Sequence, residues 1–107
     1  MTDIATTILK NVDTTNATNG VLVAMQIAAE ADRRPKLTGS IIDANWNRSE
    51  GIGIEVDEAG HRQHLANALE LDKAVTSFRI TSPAPATGYK RTGRFAGYMV
   101  TVWNREI

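Results

Sequence analysis

The strongest constraint on this fold is a pair of alternating segments joined by a short connector. Ile42, Ala44 and Trp46 alternate with Asp43 and Asn45, and Ile52, Ile54 and Val56 alternate with Gly53, Glu55 and Asp57. Successive side chains of an extended strand point to opposite faces, so a period of two predicts two strands, each apolar on one side. Residues 47–51 include a glycine and are too few for a parallel crossover, which leaves an antiparallel hairpin.

The flanking segments read differently. Ile4, Ile8 and Val12 lie four apart and predict a helix over 3–12, short and threonine-rich enough to depend on packing. Turn and cap formers fill 13–20 and end in an N-cap at Thr18 or Asn19. From Val21 to Arg34 the pattern is apolar around most of the circumference, Ala28 and Ala29 allow close approach, and Pro35 stops the helix. A third helix starts with Asp57 as its cap, aligns Leu65, Ala68 and Leu69, and runs to about Asp72.

A third strand is expected over 74–82, with Thr76, Phe78 and Ile80 on one side and Val75, Ser77 and Arg79 on the other. Pro83 and Pro85 end it. Two prolines, two glycines and two threonines make 83–93 read as a long loop or hairpin tip. A fourth strand over 94–104 sets Ala96, Tyr98, Val100 and Val102 against Phe95, Met99 and Trp103. The order α-α-β-β-α-β-β predicts an α+β fold, with about three helices on one face of a four-stranded, mostly antiparallel sheet. At 107 residues, one domain spanning 1–107 is expected.

Composition narrows the chemistry. The chain has no cysteine, so disulfides, thiolate nucleophiles and cysteine-ligated metals are excluded. Its longest apolar run, 21–25, falls far short of the roughly 20 residues needed to cross a bilayer, so no membrane association is expected. Residues 1–7 lack a basic start and an apolar stretch, which predicts a cytoplasmic location. Twelve basic side chains balance twelve acidic ones. Their distribution is uneven: Arg79, Lys90, Arg91, Arg94 and Arg105 stand against Glu106 alone, while Asp43, Glu50, Glu55, Asp57 and Glu58 lie earlier. A dipolar molecule follows if those stretches stay apart.

Catalytic motifs are missing. Gly51-Ile52-Gly53 starts a strand and does not join a strand to a helix, so it lacks the context of a dinucleotide fingerprint. The chain contains no phosphate-binding loop, no nucleophile elbow and no His-Glu-x-x-His. His61 and His64 lie three apart after Asp57 and Glu58, a spacing that can hold zinc but supplies no fourth ligand. Glu55 and Asp57 share one strand face, as solvated carboxylates commonly do. No cofactor and no resident metal are implied.

The segment Tyr89-Lys90-Arg91-Thr92-Gly93-Arg94-Phe95 interleaves cations with aromatics, the mix that meets phosphates and stacks on planar groups. In a solvated hairpin tip the same charges would only guard an edge against aggregation. Trp46 and Arg48 flank the other turn and belong to the residue types that dominate interface energy. The partner-binding candidates are therefore Tyr89, Lys90, Arg91, Arg94, Phe95, Arg48 and Trp46.

The sequence-based expectation is a non-enzymatic binding module: a small inhibitor or adaptor, of the kind phages and mobile elements encode, docking on a larger protein or nucleoprotein complex. One alternative is a weak nucleic-acid-binding domain using the basic-aromatic loop 88–95. The other is a small enzyme or metal-binding domain using His61 and His64. An apolar second helix and exposed sheet edges also leave a homodimer open.

Overall fold

The computed structural model describes residues 4–11 and 20–106. The first hairpin forms where the alternation places it, with β1 (Ile41–Asn47) antiparallel to β2 (Gly51–Val56). Ile52, Ile54 and Val56 are buried, and Ala44 and Trp46 pack against the same core. Ile42 departs from the pattern. The register shifts between Ile41 and Asp43, so Ile41 packs on the core and Ile42 is left 60% exposed. An extra residue in one strand has this effect, because two residues then oppose one.

The second half corrects the expected architecture. Residues read as a loop form β4 (Ala86–Phe95), which pairs antiparallel both with β3 (Thr76–Ile80) and with β5 (Tyr98–Glu106). The sheet therefore has five strands, in the order β1-β2-β5-β4-β3. It is mixed, because β2 and β5 run parallel at its centre. β3 stops at Ile80, ahead of the prolines, and the glycines within 86–95 are held by strands on both sides. Neighbouring strands override weak local propensity.

The expected fourth strand is split by a tight turn. Ala96 and Gly97 both take left-handed backbone angles, φ 53° and 84°, the geometry that matches the twist of a two-residue hairpin. Phe95 thus pairs with Tyr98. Phe95 is buried with Val100 and Val102, on the face opposite Met99 and Trp103. A left-handed alanine is sterically disfavoured, so Ala96 carries no turn signal in the sequence.

Helix α2 (Gly20–Asp32) packs over β1 and β2, α3 (Ala59–Ala68) packs over β5, β4 and β2, and α1 (Ile4–Asn11) packs on α2. Ile4 and Ile8 enter the core as their spacing requires, alongside Val23, Ile27, Leu65 and Val100. Val12 and the expected caps Thr18 and Asn19 lie outside the described residues. Burying the helix-facing side of the sheet in this way removes its apolar area from water.

Helix α3 differs from expectation at both ends. Its N-cap is Glu58, which makes no side-chain cap bond, while the Asp57 carboxylate binds His61 Nδ1. At the other end Glu70 adopts φ 59°, with Glu70 N–H donating to Asn67 O and Leu71 N–H to Ala66 O. This pair of bonds closes the helix by Schellman geometry several residues before Asp72. Asp72 N–H then donates to Thr92 O, which ties the segment to β4.

Candidate functional site

The described sequence candidates divide among three places. Arg91 is 4% exposed and belongs to the frame of the fold. Its guanidinium donates to Asp72 O at 2.8 Å, to Leu71 O at 3.0 Å and to Asn67 Oδ1 at 2.6 Å. A planar fork of donors suits three acceptors gathered just past a helix end, where backbone carbonyls lack intrahelical partners. Phe95 is equally committed to the core. Trp46 covers Gly20 at the start of α2 so closely that a Cβ there would meet its ring at 2.3 Å.

Tyr89 shares the helix-side face with Arg91 and donates its hydroxyl to Glu106 Oε2 at 3.1 Å. Nearby, Arg62 donates to Asn104 Oδ1 at 2.7 Å, and its pKa is lowered by burial and then by the charge of Arg91. The Tyr89 pKa is raised above 10.0, first by the hydrogen bond to Glu106 and then by that carboxylate's charge, with Arg62 opposing. A raised pKa means the bond supports the fold below the unfolded tyrosine's pKa and is lost as pH rises through the folded value. Tyr89→Phe is accordingly expected to remove part of the alkaline destabilisation, seen as a shallower fall of urea midpoint as pH rises past 10.0. Identical alkaline profiles for both proteins would refute the role of this bond.

Two exposed arginines among these candidates, Arg48 and Arg94, lie at the same end of the sheet. Because β2 and β5 run parallel and each begins after a hairpin turn, the 47–51 turn and the 95–98 turn lie side by side. A Cβ on Gly51 would stand 2.4 Å from Met99 O. Arg48 is exposed on one turn, Arg94 is exposed beside the other, and Met99 is 40% exposed next to them. Asn47 organises the first turn by accepting from Ser49 N–H, Ser49 Oγ and Glu50 N–H.

Lys90 faces away from the helices. On that open side of the sheet its ammonium lies 5.3 Å from the Phe78 ring centroid, and Phe78 meets Trp103 edge to face at 5.5 Å. Arg105 sits over Trp103 at 5.7 Å and bonds Glu55 at 3.3 Å. That ion pair also corrects the expected charge separation: adjacency of β2 and β5 brings an acidic stretch onto a basic one. Beside these rings a groove of about 590 Å³ runs over a low floor that includes Gly53 and Thr101. Phe78 and Trp103 were not among the sequence candidates. Trp103 shares strand parity with Met99, but its meeting with Phe78 depends on a register no local pattern encodes.

Asp57, Glu58 and His61 bring one ligand atom each within 4.8 Å, while His64 stands outside the group. The described residues thus give three ligands on one exposed helix start. Compared with protein-family models, with curated proteins and with solved structures, the chain matches none. Among the described residues no helix is long and apolar enough to cross a membrane.

Proposed function

We propose that this chain is a non-enzymatic binding module that docks on a larger protein or nucleoprotein partner through the sheet end where its two hairpin turns meet. The observation that carries this reading is the adjacency of the two turns, which puts exposed Arg48 on one and exposed Arg94, paired with Met99, beside the other, with Glu50 in the first turn. A rigid sheet holds both turns, so a partner meets a preorganised surface and less ordering entropy is lost on binding. Arginine adds a large contact area and directed donors to such a patch.

The test compares affinity enrichment from a lysate of the source cells by the wild-type chain and by an Arg48→Glu/Arg94→Glu double variant. Arg91 is left intact because the fold depends on it. Both substituted side chains are exposed, so circular dichroism should be unchanged. Partners retained by the wild type are expected to fall about tenfold or more with the variant, the equivalent of roughly 1.4 kcal/mol. Equal recovery by both proteins, or recovery of nothing by either, overturns the proposal.

A further inference from the structure

Beyond that docking end, we infer that the groove on the helix-free face of the sheet is a binding site for a neutral saccharide. Its charge is balanced: by strand register Asp43 and Glu55 share this face with Lys90, Arg94 and Arg105, and Glu50 lines the groove. A polyanion gains little there, since it would be repelled by three carboxylates and attracted by three cations, one already paired with Glu55. An uncharged ligand meets no such conflict.

One wall is aromatic and the opposite wall is amide. Trp103 and Phe78, set edge to face, offer the ring surface that Arg105 and Lys90 leave uncovered, and the C–H face of a pyranose ring covers such surface, its hydrogens being drawn to the negative π face. Across the floor, Asn45 is locked by donating Nδ2 to Asp43 Oδ2 at 2.6 Å, and its Oδ1 leans over Gly53. Asn47 has its Oδ1 consumed by the turn, leaving Nδ2 as its remaining polar group. A fixed acceptor, a fixed donor, the Glu50 carboxylate and the Lys90 ammonium therefore line the same space. Sugar hydroxyls both donate and accept, so they answer this mixed set, whereas an apolar ligand would strand it unpaired. A volume of about 590 Å³ falls in the usual range for small-ligand clefts.

The experiment titrates the isotope-labelled chain with neutral oligosaccharides of glucose, mannose, galactose and N-acetylglucosamine, with a sulfated heparin fragment and oligo-dT as charged arms. Saturable shifts at the Trp103 indole with a neutral sugar, and none at Trp46, are expected. Asn45→Ala and Glu50→Gln alter exposed positions and should each weaken that sugar about tenfold. Trp103→Ala should abolish binding, and the two milder variants keep the test valid if it fails to fold. Arg48→Glu, on the first turn and outside the groove lining, should leave the sugar titration unchanged, which separates this site from the docking end. Silence across the neutral panel to about 10 mM overturns the inference. So does saturable binding of oligo-dT or heparin alone, or a sugar response that survives both milder variants.

Discussion

Replacing Arg91 with leucine is expected to lower the unfolding free energy by about 3 kcal/mol, although the residue looks from sequence like a surface cation. Three acceptors depend on it: Asp72 O, Leu71 O and Asn67 Oδ1. Leucine fills part of the volume and satisfies none of them. The buried Leu71 carbonyl would be left without a donor, and the segment after α3 would keep the Asp72 N–H bond to Thr92 O but lose its side-chain tie to β4. Loss of the positive charge relieves Arg62, whose pKa Arg91 helps to lower, but that gain is small beside three orphaned acceptors. Lysine should rescue little, since a point-like ammonium cannot reproduce the fork. Urea unfolding measures the effect as a lowered midpoint at constant slope. Arg94→Leu is the control, with a change of about 0.5 kcal/mol or less; equal losses at both positions would contradict the assignment of Arg91 to the frame.

Gly51→Ala should be about as damaging, again roughly 3 kcal/mol, for two reasons that a second variant separates. Gly51 has φ 83°, a left-handed conformation that costs any other residue about 1 kcal/mol or more. Its Cβ would also lie 2.4 Å from Met99 O, a backbone atom that cannot swing aside. Gly97 has nearly the same angle, φ 84°, but a Cβ added there would meet no heavy atom within 4 Å. Gly97→Ala therefore reports the conformational cost alone, about 1 kcal/mol. If the two variants unfold at the same urea concentration, the close packing of the two turns is wrong.

Local patterns revealed what local physics decides. Alternation around Ile52, Ile54 and Val56 placed the first hairpin, and four-residue spacing placed Ile4 and Ile8 in the core. Three things lay beyond such patterns. Strand β4 owes its extended state to partners on both sides, against its own glycines. Ala96 hides a turn because alanine is a poor residue for it. Arg91 and Lys90 are neighbours in sequence with opposite fates, one sealed under α3 and one beside Phe78, since adjacent strand residues face opposite sides. Composition marked the basic-aromatic segment as notable without separating its structural cations from those left accessible to a partner or ligand.

The parallel junction of β2 with β5 bears on how the molecule assembles. Ile52 is matched to Val100 and Val56 to Asn104, so the middle of the sheet is stitched between distant parts of the chain. Each hairpin can form by itself on a microsecond timescale, but joining them requires closing a long loop first. Until residues 98–106 are in place, β2 has an open edge and the apolar face beneath α2 is incomplete. Folding should therefore be slow for a domain of this size, with its rate set by topology more than by the helices. A polypeptide caught before that closure would carry unpaired edges on both halves, the form most prone to associate with copies of itself.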